Sequence, residues 1–177
     1  MVACRGLTMM GVEGLLRRFP KSGRVEWIGV RPARREPLVV PAEVLAVEGG
    51  GLVGDHYGGG SGARGITLIQ AEHLAVVAAL MGLETLDPGR LRRNLVVSGI
   101  NLSALKGCRF QVGEAVLEGT GPCHPCSRME EALGFGGLTA MRGHGGLNAR
   151  VLRGGRIRLG DDVSVLDEGE PPPCDLP

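Results

Sequence analysis

Gly107-Cys108-Arg109-Phe110-Gln111-Val112-Gly113-Glu114-Ala115-Val116-Leu117-Glu118 reads as two short strands around a glycine turn, Gly107 to Val112 and Ala115 to Glu118. Gly99 to Leu105, just upstream, is read as another. Closely spaced short strands separated by glycine turns are the pattern of a small barrel or sandwich. The fold class that follows is mainly β with a few helices (α+β).

Downstream, the strand through Thr120 runs into Gly121-Pro122-Cys123-His124-Pro125-Cys126-Ser127-Arg128, two thiols and an imidazole within four consecutive positions. The two prolines fix φ and bias the residue before each away from helix, so the thiols are presented on a stiff turn. Ser127 to Leu133 is predicted as a short helix, with Ser127 as N-cap and Glu130 completing a capping box. Cys126 then stands at or just before a helix N-terminus, and with Arg128 near by that setting favours the thiolate. A thiolate attacks sulfur or ligates a soft metal.

Further on, Leu147 to Leu152 reads as a strand, Arg153-Gly154-Gly155 as a hairpin turn, Arg156 to Leu159 as its partner, and Val163 to Leu166 as a last strand. Working back from the opening stretch, Arg24 to Arg31, Leu38 to Val47 and Gly65 to Ile69 read as strands, the second split by Pro41 and suited to an edge. Gln70 to Leu80 is predicted helical, with Leu74, Val77 and Ala78 inward and Glu72 and His73 outward. Arg90, Arg92 and Arg93 precede the buried strand Leu95-Val96-Val97. Their guanidinium groups suit either an anion-binding pocket wall or a solvated turn. Arg31, Arg34 and Arg35 pose the same choice, with a solvated loop favoured on the usual exposure of arginine.

Gly54 to Gly62 is too glycine-rich for a regular element, and it lacks the Gly-Lys-Ser/Thr ending of a phosphate-binding P-loop. Asp55 and His56 within it form either a carboxylate–imidazole pair or a turn-fixing pair. Val12, Leu15, Leu16 and Phe19 mark a short amphipathic helix that stops at Pro20. The expected organisation is an N-terminal extension over residues 1–20, one domain over 21–167, and a flexible acidic, proline-rich tail over 168–177.

Bulk composition excludes more than it selects. The formal net charge is +1 and aromatic residues are 3% of the chain, so neither a basic stripe nor stacking platforms argue for nucleic acid. Five cysteines, an odd number without a signal-peptide pattern, fit a reducing cytoplasm better than a secreted disulfide framework. No apolar run reaches the roughly 18 residues that would span a bilayer, so no membrane role is expected.

The order of motifs resembles the MOSC family, found at the C-terminus of molybdenum cofactor sulfurases and as free-standing bacterial proteins. The resemblance is carried by Gly54-Asp55-His56, Gly65-Ile66-Thr67-Leu68-Ile69, Arg93-Asn94-Leu95-Val96-Val97-Ser98-Gly99-Ile100, the Pro-Cys segment, and Gly145-Gly146-Leu147-Asn148-Ala149-Arg150-Val151-Leu152 with Gly155, Ile157 and Gly160-Asp161. It implies a closed or partly closed β-barrel of the MOSC type, binding of molybdenum cofactor (molybdopterin), and a key cysteine that carries sulfur or ligates molybdenum. On that basis Cys126 is the first choice as catalytic group and molybdenum ligand, with Cys123 second and His124 or Arg128 stabilising charge. Arg92, Arg93, Asn94, Arg128, Arg150, Asp55 and His56 are the implied cofactor contacts. The implied partners are a small-molecule cofactor or sulfur donor, and a cysteine desulfurase or a reductase protein. Pyridoxal phosphate belongs to the separate aminotransferase half of some relatives. It is not expected here, where Lys21 and Lys106 are the only lysines.

Two other chemistries fit the same residues. A Cys-x-x-Cys pair opening a helix is also the signature of a thiol–disulfide oxidoreductase, although that motif belongs early in a βαβ unit. A structural zinc site would draw on Cys123 and Cys126 with Cys108, His124 or His144. For Cys4, Cys108 and Cys174 simple packing suffices. The expected functional centre is a pocket around Cys126 closed by the loops at Gly58–Gly62 and Gly143–Gly146.

Overall fold

The computed structural model describes residues 15–16, 18–34, 36–56 and 62–166. The tail from residue 168, Cys4, Cys174, Arg35, most of the N-terminal helix and most of the Gly58–Gly62 loop lie outside the described residues.

The described strands are β1 (Gly23–Ile28), β2 (Glu43–Ala46), β3 (Ile66–Gln70), β4 (Leu95–Ser98), β5 (Arg109–Val112), β6 (Ala115–Pro122), β7 (Leu147–Arg153), β8 (Gly155–Arg158) and β9 (Asp162–Val165). The described helices are α1 (Ala71–Leu80), α2 (Ser127–Leu133) and α3 (Gly137–Ala140). Seven strands close a barrel in the order β1-β4-β3-β7-β6-β5-β9, and β2 and β8 form a separate ribbon. Every neighbouring pair is antiparallel except β3 with β4, so the barrel is mixed.

The sequence accounts for the parallel pair. Antiparallel neighbours with one wet face alternate apolar and polar residues, whereas strands covered on both faces read as continuous apolar runs. Ile66, Leu68, Leu95 and Val97 join the main core cluster, while Ile69 and Val96 belong to a second cluster with Val77, Ala78, Met129, Leu133, Ala140 and Met141 from the helices. The helices thus cover one side of the barrel, and α1 with the turn after it makes the crossover that a parallel connection needs.

Two expected strand assignments are corrected. Gly99 to Leu105 is not a strand: Asn101 accepts a hydrogen bond from the Ser103 amide at 3.0 Å and caps a 3-10 turn over Leu102–Leu105. A side chain that bonds its own backbone two residues on competes with a ladder, and Leu102 and Leu105 enter the main core instead. The hairpin expected between β7 and the following strand does not form either. β8 pairs with β2, Val44 opposite Ile157. At Gly155 the chain passes so close to Glu114 that a β-carbon would lie 2.5 Å from its carbonyl carbon.

Candidate functional site

A cavity of about 410 Å3 opens where β1 and β6 end and β3, β4 and β7 begin. The geometry of its wall is set by backbone and side chain together. Asn94, just before β4, accepts from the Thr67 amide at 3.0 Å and the Thr67 hydroxyl at 2.8 Å, and donates to the Gly29 carbonyl at 3.2 Å and to Asp55 Oδ2 at 2.8 Å. Asp55 Oδ1 accepts from the Arg31 amide at 3.1 Å. One asparagine therefore ties β1, β3, β4 and the Asp55 loop together, with both ends of its amide bonded.

His56 extends this wall. Its Nδ1 lies 3.1 Å from the Arg31 carbonyl and 3.6 Å from Asp55 Oδ1. Because a carbonyl only accepts, Nδ1 carries the proton and Nε2 is left to exchange one. Both side chains thus bond the Arg31 backbone, as turn-fixing groups do, while the carboxylate and imidazole stand 3.6 Å apart.

The cysteine segment forms another wall, and the corrected helix start explains its shape. Ser127 is the first helical residue of α2, not its cap. Cys126 occupies the N-cap position with extended backbone and no side-chain capping bond. The expected capping box is absent because Glu130 turns the other way, accepting from the amides of Gly136 at 2.7 Å and Leu138 at 2.9 Å. Glu130 thus joins α2 to the start of α3, and these two backbone bonds hold its carboxyl below the usual range.

Cys126 is exposed at the cavity rim, while Cys123 is half-buried and both thiols are free. Burial pushes the Cys123 thiol above its usual range, with Arg93 and Arg64 pulling the other way. His124 is exposed on the same rim.

Arg93 positions this wall. It is 6% exposed, and its guanidinium donates to the carbonyls of Gly145 at 2.7 Å, Leu91 at 2.9 Å and Cys123 at 3.2 Å. Gly145 and Gly146 complete the clamp: the Cys123 amide donates to the Gly146 carbonyl at 2.8 Å, and a β-carbon at Gly145 would lie 2.1 Å from the Cys123 carbonyl oxygen. The Gly143–Gly146 loop therefore braces the cysteine turn from behind. The same loop carries His144, packed edge-on against His73 of α1 with ring centroids 4.7 Å apart. His73 is accordingly half-buried and not on an outer face as expected, and burial with His144 near by lowers its pKa.

Arg92 is the sole non-glycine residue with positive φ among the described residues, at 58°. It lines the cavity together with Arg31 and Arg64. Burial, then the proximity of Arg128 and Arg31, lowers its pKa from the ordinary arginine range, although arginine stays protonated in proteins. Arg128 lies in an adjoining cavity. Arg150 is not brought to the site: on β7 it is exposed, opposite Glu118 of β6, with 3.7 Å between their charged atoms.

Sequence reading missed Arg64, Thr67 and Asn148. Asn148 is 7% exposed, donates to the Pro122 carbonyl at 3.0 Å, and among the described residues its buried Oδ1 has no partner at the cavity. The available signal was an amide inside the apolar run Leu147-Asn148-Ala149, since a buried polar group is retained only with a bonding role.

The competing site chemistries fare less well against this geometry. The Cys-x-x-Cys pair follows β6, whose strand neighbours β5 and β7 are both antiparallel to it, so it does not open the helix of a βαβ unit. Among the described residues no three His, Cys, Asp or Glu side chains come together as a group able to hold a metal ion.

A closed, mixed seven-strand barrel with helices on one side and a cavity at the strand ends defines a class of small β-barrel domains. Within it, this chain belongs to the MOSC domain family, which it matches over residues 54–164. The YuaD protein from Bacillus subtilis is similar in structure at a TM-score of 0.72 and 21% identity, covering 82% of this chain and 96% of that one. YiiM from Geobacillus stearothermophilus matches at 0.65 and 21%, covering 83% and 76%. YiiM from Escherichia coli matches at 0.65 and 19%, covering 86% and 73%. At these identities the likeness is one of fold. No curated protein matches the chain in sequence. No described helix is long and apolar enough to cross a membrane.

Proposed function

We propose that this MOSC-domain protein binds molybdenum cofactor in the cysteine cavity, with the Cys126 sulfur as its reacting atom. The observation that carries the reading is a free, exposed thiol on the rim of a cavity of about 410 Å3 that also holds guanidinium groups and an unpartnered buried amide oxygen.

The residues present fit the group. Arg64, which lines this cavity and not the adjoining one, suits its phosphate, because guanidinium forks match phosphate oxygens. Asn148 Oδ1 is placed to accept an N–H of the pterin. Cys126 offers a sulfur ligand, and His56 offers Nε2 to hold or release a proton near the rim. When bound, the cofactor supplies a metal centre that a thiolate can ligate and that exchanges electrons with substrate. Asp55, Asn94 and Arg93 have their polar atoms committed to the chain and serve to position the wall.

A second reading rests on the exposure of Cys126, which a partner protein's thiol can reach. In it the Cys126 thiolate attacks the outer sulfur of a donor persulfide, the donor's S–S bond breaks, the donor leaves as a thiolate, and Cys126 is left as a persulfide. A cysteine desulfurase is the fitting donor. In the cofactor-binding version a reductase supplies electrons, and in both versions free thiols call for a reducing compartment such as the cytoplasm.

The test is metal and pterin analysis of the protein purified from a host that makes molybdenum cofactor, beside Cys126→Ser prepared identically. Molybdenum and pterin in equal amounts, lost in the variant, are expected. Protein without either, whose Cys126 takes up sulfur from a persulfide donor, would leave the carrier reading in its place. Stoichiometric zinc would overturn both.

A further inference from the structure

A second cavity, of about 470 Å3, shares Arg31 and Arg92 with the cysteine cavity and adds Arg90, Arg128 and Glu131. Four guanidinium groups and one carboxylate leave a formal excess of three positive charges on its wall. Among the described residues none of the four arginines is in an ion pair. Arg31 and Arg90 are anchored, each donating one bond to a carbonyl, of Glu36 and Ala132 respectively. The side chains of Arg92 and Arg128 donate no hydrogen bond among the described residues, though both are half-buried.

Such an arrangement costs energy in the empty protein. Like charges are gathered and partly desolvated, and Arg92 is held in left-handed backbone that a side chain rarely adopts. An anion removes that cost. A single carboxylate would cancel one of the three excess charges, whereas a phosphate monoester carries roughly 1.5 to 2 negative charges near neutral pH and a diphosphate carries more. Planar guanidinium forks also bind phosphate oxygens in pairs.

We propose that this arginine bay is a subsite for the phosphate or diphosphate of a small-molecule substrate or sulfur donor, whose remaining part reaches past Arg31 and Arg92 toward Cys126. The bay's anion affinity stands whether or not the cysteine cavity takes molybdenum cofactor. Arg31 and Arg92 then form a shared partition. Arg90 and Arg128 bind the ligand's charged end, and the thiol meets its reacting end.

The experiment is calorimetric titration of the full chain, free of cofactor, with pyrophosphate, orthophosphate and succinate at low and moderate salt. Pyrophosphate is expected to bind at least about tenfold more tightly than succinate, and Arg128→Gln to weaken it about tenfold. Arg109→Gln, on the exposed face of β5, is expected to stay within about twofold. Affinity should fall as salt rises. Equal binding of pyrophosphate and succinate, or an Arg128→Gln variant with parental affinity, would overturn the proposal. Arg90→Gln is the second variant; because Arg90 also anchors α2, its melting temperature is measured alongside and Arg128→Gln decides if it is lowered.

A final arm repeats the pyrophosphate titration on protein carrying molybdenum cofactor. Retained affinity is expected. Affinity lost on loading would assign the bay to the cofactor's own phosphate and overturn a separate ligand site. Failure of the protein to take up molybdenum overturns the cofactor reading of the cysteine cavity and leaves the pyrophosphate affinities to decide this one.

Discussion

Asn94 bonds Thr67, Gly29 and Asp55 on one wall of the cysteine cavity, and Asp55 is bonded in turn to the Arg31 amide. Elsewhere around the cavity Cys126 is a free thiol, and among the described residues Arg92 makes no hydrogen bond through its guanidinium and Asn148 Oδ1 has no partner. Asn94 and Asp55 have spent their polar groups on the chain, as Arg93 has behind the thiols, so these residues supply shape. Cys126, Arg92, Asn148 Oδ1 and His56 Nε2 are the groups still able to bond a ligand. A residue's proximity to a cavity is therefore a poorer guide to its role than the number of bonds it still has to give.

The sharpest way to break this contrast is Cys126→Ser. Complete loss of bound molybdenum and pterin is expected, with a melting temperature within about 2 °C of the parent, since exposed substitutions change stability by no more than about 0.5 kcal/mol. Next comes Asn94→Ala, which should cost about 3 kcal/mol in urea unfolding by leaving Asp55 and Thr67 unpaired. A cost under about 1 kcal/mol would show that this wall is not held as described.

Gly145→Ala should cost about 1–3 kcal/mol, because the added methyl meets the Cys123 carbonyl. Its effect on cofactor retention measures how far the bracing loop sets the thiol. The two thiols should also separate in alkylation by iodoacetamide near neutral pH. Cys126 is expected to react first, and Cys123, partly shielded and with its thiol pushed up by burial, to follow only as pH rises. Simultaneous modification would remove the distinction between them.

The smallest effect expected is a pH slope from His73. Its folded pKa is lowered, mainly by burial, so the stability it contributes is present above the ordinary histidine range and is lost as pH falls from about 6.5 through the lowered value. Melting curves between pH 7 and 5 should show a decline that flattens in His73→Gln.

Much of the barrel was legible because its strands obey local rules. The run Ile66-Thr67-Leu68-Ile69 and the run Leu95-Val96-Val97 announce themselves as buried, and Gly113 marks the turn between β5 and β6. What local rules do not contain is partner choice. Nothing in Arg156 to Leu159 says that it lies against β2 and not β7, and Asn101 outweighs the strand character of its neighbours through one side-chain bond. The same limit divides the site. Cys123, His124 and Cys126 are adjacent in sequence and were found together, and Asp55, His56 and Arg92 follow from motif resemblance. Arg150 carries the same charge as Arg92 but stands at an outward position of β7, which a list of arginines does not distinguish. Asn148 was hidden for the opposite reason, as one polar residue within an apolar strand.

The barrel closes through β1 and β9, Gly23 opposite Val163. That pairing joins residues from opposite ends of the described chain, so its loop entropy is the largest of any strand pair in the ring, whereas β5 and β6 meet across a single tight turn. During synthesis the β5–β6 hairpin and the cysteine turn after it emerge before β9 has left the ribosome. Ring closure therefore cannot precede the synthesis of β9, by which point every residue of the cavity wall has been made. A ligand that needs the closed barrel would meet a cavity whose whole lining has already been synthesised, whatever the order in which the earlier strands pair.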